Sequence, residues 1–145
     1  MKADVTWAGD VQFRATSGSG HTVTLDGPPD AGGQNAGARP MELLLMGVGG
    51  CASFDVVHIL RTGRQQVEAC EAHLEAERAE DPPRVFTRVK MHFVVRGTGL
   101  SQSKVARAVA LSAEKYCSAS IMLSRGGVAI EHSYEVVETG ASEAP

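Results

Sequence analysis

Residues 40–60, PMELLLMGVGGCASFDVVHIL, decide the fold of this chain. Pro40 is predicted to open a helix, because proline is favoured at the first helical position, where its missing N–H is not needed. The residues that follow are apolar on nearly every face, apart from Glu42, Asp55 and His58. A helix that is apolar all round is buried, so this stretch predicts a helix at the centre of the core.

Three glycines, Gly47, Gly49 and Gly50, lie in the middle of the predicted helix. A glycine destabilises a helix by about 1 kcal/mol relative to alanine, and close approach of another backbone would explain why glycine stands here. A kink or break near Gly49 and Gly50 is the alternative. After a break, Cys51 would lie near a new helix N-terminus, where a partial positive charge favours a thiolate.

The sequence on both sides of this helix predicts strands and a second helix. Alternating apolar and polar residues, clearest in 85–96, are typical of half-buried strands. The predicted strands are 5–7, 11–15, 21–25, 67–79, 85–96 and 128–137; the second helix runs from the N-cap Ser101 to about Cys117, and residues 118–124 form a short further helix. This order predicts an α+β fold with antiparallel sheets packed on two buried central helices.

The size of the chain and the apolar character of its first helix predict the organisation of the protein. The 145 residues match one domain, predicted for 1–139, followed by a frayed tail at 140–145. The first helix has more apolar surface than a chain of this size covers easily, which predicts a homodimer.

Charge and hydropathy narrow the class of partner. The net charge of −3, with both signs dispersed along the chain, disfavours nucleic acid or an anionic membrane as the main partner. No apolar run is expected to span a membrane. The first five residues, MKADV, lack the apolar core of a signal peptide, so a cytoplasmic protein is predicted.

The three cysteines are an odd number spread along the chain, which is not the pattern of a secreted disulfide framework. Cys51 has small neighbours on both sides, which leave room for a substrate to reach the sulfur. Cys117 is placed at the end of the second helix, where the helix dipole opposes a thiolate although Lys115 is near, so it is the weaker nucleophile and the better resolving thiol. For both residues, plain packing in the core is the alternative. Cys70 alternates with Ala72 on a strand and is interpreted as core packing.

Asp55 and His58 follow Cys51 at positions i+4 and i+7, so the three side chains share a helix face. One interpretation is a Cys–Asp–His relay. The favoured one is a polar strip near the helix end, because a nearby carboxylate disfavours a thiolate. The sequence has neither a C-x-x-C nor an H-x-x-x-H pair and no glycine-rich phosphate loop, so neither a metal nor another cofactor is expected.

Two cysteine-bearing segments carry a family resemblance. Residues 39–51, RPMELLLMGVGGC, and residues 111–118, LSAEKYCS, resemble the two cysteine motifs of the OsmC/Ohr family, named for osmotically inducible protein C and organic hydroperoxide resistance protein. The predicted element order is similar too, so the resemblance covers almost the whole chain. The residues after Cys51 look closest to the OsmC-like subgroup.

The resemblance implies a thiol peroxidase in an OsmC-like fold, in which two chains form an intertwined homodimer. Cys51, as a thiolate, would attack an organic hydroperoxide and become a sulfenic acid. Cys117 would then condense with it to a disulfide. A dithiol would reduce the disulfide, and in related enzymes that dithiol is a lipoyl group on a protein. The contrasting hypothesis is a non-catalytic member of the same fold that binds an apolar ligand or senses oxidants.

The chain departs from the family pattern at two positions that assist the thiols. Family peroxidases place a glutamate directly after the motif proline, whereas here Met41 stands there and Glu42 comes about 100° further round the helix. They also supply an arginine from the early glycine-rich turn, which here reads GSGH at residues 18–21. Arg39 and Glu42 are therefore the candidate supporting residues, with Arg14 a further candidate for the arginine. Solvent exposure or compensation of helix charge is the alternative role for Arg39 and Glu42.

Overall fold

A computed structural model describes residues 1–140 and places them in two compact units, residues 1–46 and the residues from Gly47 onward. The predicted tail at 140–145 lies, apart from Gly140, outside the described residues. The predicted single domain at 1–139 stays a prediction. Both units combine strands with helical segments, so the predicted α+β class is confirmed.

The first unit contains a three-stranded antiparallel sheet and a long loop. Its strands are β1 (Ala3–Trp7), β2 (Phe13–Ser17) and β3 (Thr22–Leu25), in the spatial order β1-β2-β3. The following loop is organised by the buried carboxylate of Asp26, which accepts hydrogen bonds from three backbone N–H groups at 2.8–3.1 Å. These bonds lower the pKa of Asp26. The loop is therefore held by an ionised side chain rather than by an apolar core.

Helix α1 (Pro40–Thr62) runs without interruption through the glycine-rich segment. The hypothesis of a break is therefore wrong, and Cys51 lies in the helix interior rather than at a new N-terminus. Close approach does occur at one glycine, because a Cβ atom at position 49 would stand 2.8 Å from Cδ1 of Leu74. The close neighbour is thus a side chain rather than the backbone that was predicted.

Only one face of α1 is buried within the chain. That face contains Val48, Gly49, Ala52, Val56 and Leu60, whereas Phe54 is 71% exposed. The prediction of a helix buried all round is therefore wrong for the isolated chain.

By length and composition α1 could cross a membrane, with a mean hydropathy of 1.8 over 18 residues. The core helix of a soluble protein has the same properties, so this similarity alone is weak evidence for a membrane span.

The second unit contains a mixed sheet of β4 (Gln66–Arg78), β5 (Phe86–Thr98) and β6 (Ala129–Glu138), in that spatial order. Strands β4 and β5 pair antiparallel as a long hairpin, but β6 pairs parallel with β5. The prediction of antiparallel sheets therefore needs one correction. The chain between β5 and β6 crosses over through helices, and such a crossover is the connection that parallel neighbours require.

The crossover consists of α2 (Gln102–Leu111), a π-helical turn (Ser112–Tyr116) and α3 (Ser118–Arg125). The predicted N-cap is confirmed, because the hydroxyl of Ser101 accepts a hydrogen bond from the backbone N–H of Lys104. The predicted second helix ends earlier than expected, at Leu111, because the π-helical turn replaces its last part. The inner face of the sheet and the helices share a core that includes Val56, Leu60, Val89, Met91, Phe93, Val95, Val105 and Val109.

Candidate active site

Three polar side chains of the second unit converge in its interior. The sulfur atoms of Cys51 and Cys117 and a carboxylate oxygen of Asp55 all lie within 4.8 Å of one another. Cys51 and Asp55 stand one turn apart on α1, and Cys117 lies between the π-helical turn and α3. The structure therefore places the two predicted thiols side by side, although 66 positions separate them in the chain.

Ser112 ties the segment that carries Cys117 to α1. Its hydroxyl donates a 2.9 Å hydrogen bond to the backbone carbonyl of Ala52, the neighbour of Cys51. The backbone N–H of Cys117 in turn donates to the carbonyl of Ser112 at 2.8 Å. Ser112, Ala52 and Cys117 are fully buried. This chain of buried bonds sets the position of one sulfur relative to the other.

Cys117 is both the C-cap of the π-helical turn that follows α2 and the N-cap of helix α3. Its sulfur accepts hydrogen bonds from the hydroxyl and the backbone N–H of Ser120, at 3.2 and 3.4 Å. The predicted helix C-terminus is therefore present, but the N-terminus of α3 meets it at the same residue and acts on the thiolate in the opposite direction. Burial nevertheless dominates and raises the pKa of the Cys117 thiol, the Ser120 bonds act in the opposite direction, and Cys51 adds to the rise.

The two thiols differ in access. Cys51 is partly exposed, whereas the side chain of Cys117 is sealed from solvent. Lys115 stands two residues before Cys117 in the sequence. Its ammonium group lies 5.5 Å from the ring centre of Tyr116. A molecule arriving from outside therefore meets Cys51 before Cys117.

Asp55 belongs to the thiol cluster rather than to a surface strip. Its Oδ2 atom is buried and has no hydrogen-bond partner among the described residues. Burial raises the pKa of Asp55, while nearby His58 has a smaller opposite effect. His58 itself is exposed and stacks on Phe54, with ring centres 6.1 Å apart. The favoured interpretation of a polar strip is therefore wrong for Asp55, although its spacing from Cys51 was visible in the sequence.

The same cluster offers three ligand atoms to a metal ion. Within residues 1–140, Cys51, Asp55 and Cys117 are the set of cysteine, histidine and acidic side chains whose ligand atoms lie close enough for one ion. A closed structural zinc site takes four protein ligands, whereas a catalytic zinc site takes three and keeps one position open. This set supplies three, so it does not form a closed structural site.

Two open grooves run along α1, and the first includes Asp55 of the cluster in its lining. One, of about 500 Å³, is lined by Asp55, His58, Ile59, Thr62, Leu111 and Tyr116. The other, of about 390 Å³, is lined by Gly50, Ser53, Phe54, Val57, His58, Arg61 and Cys70. Cys70 is thus half-buried at a groove rather than packed in the core, and burial followed by Glu71 raises its pKa. Both grooves combine apolar walls with a few polar groups, which is the usual lining of a small-molecule site.

Arg39 and Glu42 pair with each other at the start of α1. A carboxylate oxygen of Glu42 accepts a 3.1 Å hydrogen bond from the backbone N–H of Arg39, and the Arg39 guanidinium donates to the side-chain oxygen of Asn35. A glutamate at this helical position that bonds back to the residue before the helix is half of a capping box. The position of Glu42 therefore fits its alternative role, which is to stabilise the N-terminus of α1. A supporting role of Arg39 or Glu42 beside the thiols stays a proposal.

Comparison with known proteins identifies the class. The sequence profile described as "OsmC-like protein" matches residues 32–133, and the chain therefore belongs to the OsmC-like family. It is 50% identical over 140 residues to the protein YhfA of Escherichia coli K12, covering 94% of this chain and 98% of YhfA. The resemblance predicted from the two cysteine motifs is confirmed.

Solved structures show the same fold. A hypothetical protein from Aquifex aeolicus VF5 has a TM-score of 0.81 at 28% identity, over 94% of this chain and 96% of that one. An organic hydroperoxide resistance protein OsmC from Legionella pneumophila has a TM-score of 0.71 at 23% identity, over 93% and 96% of the two chains. The OsmC-like fold is therefore shared with proteins of which at least one is named for hydroperoxide resistance.

Proposed function

We propose that the protein is a thiol-dependent peroxidase that reduces organic hydroperoxides in oxidative-stress defence in the cytoplasm. The observation that carries this proposal is the placement of the Cys51 and Cys117 sulfurs within 4.8 Å of each other, one reachable and one sealed. A pair of adjacent thiols is what a peroxidase needs to end its cycle in a disulfide. The family membership and the name of the Legionella pneumophila relative, an organic hydroperoxide resistance protein, support the same chemistry.

In the proposed reaction the Cys51 thiolate attacks the distal oxygen of a hydroperoxide. The O–O bond breaks, the alcohol leaves, and Cys51 becomes a sulfenic acid. The Cys117 sulfur then attacks the Cys51 sulfur, a disulfide forms, and water is released. A disulfide has an S–S length of about 2.05 Å, so a rotation of side chains closes the remaining gap. An external dithiol, with a lipoylated protein as the candidate, restores both thiols.

Organic hydroperoxides suit the surroundings of Cys51 better than hydrogen peroxide does. The groove beside Asp55 is bordered by Ile59, Leu111 and Tyr116, and the second groove is bordered by Phe54 and Val57. Apolar walls favour binding of an apolar organic group, since its transfer from water is favourable by about 25 cal/mol per Å². We therefore assign the organic part of the substrate to the groove beside Asp55, the one that a residue of the thiol cluster lines.

The exposed apolar surface supports a homodimer as the working form. Phe54 and Met122 are 71% and 66% exposed in the isolated chain, and contiguous exposed apolar surface marks interaction sites. A second copy is the occupant because α1 is apolar well beyond its buried face. Arg39 and Glu42 are retained as candidate supporting residues in that assembly.

The test is intact-mass measurement after addition of equimolar cumene hydroperoxide to the reduced protein. A peroxidase loses two hydrogens per chain, a decrease of about 2 mass units, and two of its three thiols cease to titrate. Cys51→Ser should abolish the reaction. Cys117→Ser should stop it at the sulfenic acid, which dimedone traps.

Cys70→Ser is the matched control, because Cys70 is a half-buried cysteine outside the cluster, and this variant should behave as the wild type. An unchanged mass with all thiols titratable would reject the peroxidase. It would leave the non-catalytic hypothesis, in which the grooves hold an apolar ligand.

A further inference from the structure

The carboxyl group of Asp55 occupies a position that packing alone does not explain. One of its oxygens is buried without a hydrogen-bond partner among the described residues, and its carboxylate lies within 4.8 Å of both sulfurs. Buried polar atoms are normally paired, and an unpaired one destabilises the fold. An aspartate held in this way beside a reactive pair of thiols is a candidate for a chemical role.

The groups that face Asp55 leave it well placed to accept a proton. They are Cys51 on the same helix, Cys117 at the start of α3, and His58, with Tyr116 on the wall of the same groove. No lysine or arginine lines this groove among the described residues. Burial raises the pKa of Asp55, which makes its carboxylate a stronger base than an exposed one.

The proposed peroxidase reaction must move one proton. The Cys51 thiol loses a proton when its sulfur attacks, and the departing alkoxide gains one when the O–O bond breaks. An alkoxide is a poor leaving group unless it is protonated as it departs. The proton therefore has to travel from the sulfur to the alcohol oxygen.

We propose, on the basis of the proposed peroxidase function, that Asp55 shuttles the proton from the Cys51 thiol to the leaving alcohol oxygen. The carboxylate takes the thiol proton, the sulfur forms a bond to the distal peroxide oxygen, and the O–O bond breaks. The carboxylic acid then hands its proton to the alkoxide and becomes a carboxylate again. Thiol and hydroperoxide thus give sulfenic acid and alcohol, with no change in total charge.

The test is single-turnover kinetics of Asp55→Asn with two kinds of oxidant. The amide has the size of the carboxyl but cannot exchange this proton. With cumene hydroperoxide, the rate of sulfenic acid formation should fall by about 100-fold or more. With peracetic acid, whose leaving acetate needs no proton, the loss should shrink to a few-fold. A purely structural role would depress both rates equally.

Asp81→Asn is the matched control, since Asp81 is an exposed aspartate in the hairpin turn, and it should react with both oxidants as the wild type does. Asp55→Glu should recover part of the cumene hydroperoxide rate. Asp55→Ala gives the same substrate contrast if the amide variant does not fold.

Equal losses with both oxidants, or an Asp55→Asn rate within about 3-fold of wild type on cumene hydroperoxide, overturn the shuttle. The peroxidase itself would survive that result. A wild-type protein inert toward both oxidants would instead overturn the proposed function, and the shuttle with it.

Discussion

The sulfur of Cys117 is fully buried yet accepts two hydrogen bonds from Ser120. The hydrogen bonds favour the thiolate, and burial disfavours it. Burial is the larger effect and raises the pKa of Cys117. In the proposed reaction, a sealed, neutral thiol of this kind would not compete with Cys51 for peroxide, but it would be in place once Cys51 is oxidised.

The rate of disulfide closure should therefore increase with pH. Because the pKa of Cys117 is raised, its thiolate is scarce at neutral pH, and its fraction grows about tenfold per pH unit until the pH passes that pKa. Stopped-flow measurement of the step after sulfenic acid formation, across neutral and alkaline pH, tests this expectation. Ser120→Ala removes one stabilising bond and should slow closure further at a given pH. A closure rate that is flat with pH would contradict this account of Cys117.

Among the secondary-structure elements, the π-helical turn holds the thiol of Cys117 against α1. The hydroxyl of Ser112 bonds the carbonyl of Ala52, and the carbonyl of Ser112 receives the N–H of Cys117. Both bonds are buried, so neither is exchanged with water. The turn thus holds Cys117, which is distant in sequence, next to Cys51.

Ser112→Ala should loosen this junction. Loss of a buried hydroxyl-to-carbonyl bond lowers the free energy of unfolding by about 1–2 kcal/mol, which a urea denaturation curve measures. Disulfide closure should slow, while sulfenic acid formation at Cys51 stays unchanged. Ser124→Ala, at an exposed serine of α3, is the control and should alter neither quantity. Equal slowing of both steps would argue that Ser112 acts on the whole cluster instead.

Glycines 49 and 50 of α1 face different surroundings and predict opposite mutational effects. A Cβ at Gly50 meets nothing within 4 Å, so Gly50→Ala should stabilise the fold by about 0.5–1 kcal/mol through helix propensity. A Cβ at Gly49 meets Leu74 at 2.8 Å, and overpacking of about 1–3 kcal/mol should offset that gain. Parallel urea denaturation of the two variants measures the difference. A more stable Gly49→Ala than Gly50→Ala would contradict the packing of α1 on β4.

For the molecule as a whole, the isolated chain exposes several large apolar side chains. Phe54 is exposed on α1, and Tyr116 and Met122 are exposed in the crossover segment. Scattered apolar residues are normal on a surface, but Tyr116 and Met122 line one groove, and clustered large apolar residues indicate an interface. Self-association is the proposed use of this surface.

Phe54→Lys should weaken the proposed homodimer. Placing a charge in an apolar interface leaves it buried and unpaired, which destabilises association by several kcal/mol. Sedimentation equilibrium should therefore show a dimer for the wild type and a shift toward monomer for the variant. Val85→Lys, at an exposed apolar residue near the hairpin turn, should leave the association unchanged. A monomeric wild type would reject the dimer altogether.

Most helices and strands, and the family, could be predicted from the amino-acid sequence. The apolar run after Pro40 predicted α1, alternation predicted β4 and β5, and the two cysteine motifs predicted the OsmC-like class, because propensity, periodicity and motif spacing are local properties of a chain. The parallel direction of β6 and the early end of α2 were missed, since both depend on how the chain returns across the sheet.

The surroundings of the two thiols could not be predicted from the sequence and became visible in the folded chain. The fold placed Asp55 beside both sulfurs, whereas the sequence favoured a polar strip. It also made Cys117 the N-cap of α3 in addition to the helix C-terminus that the sequence predicted. It also kept α1 continuous through its glycines and left Cys70 at a groove. Burial, hydrogen-bond partners and the distance between side chains arise from packing between distant segments, and a one-dimensional pattern does not contain them.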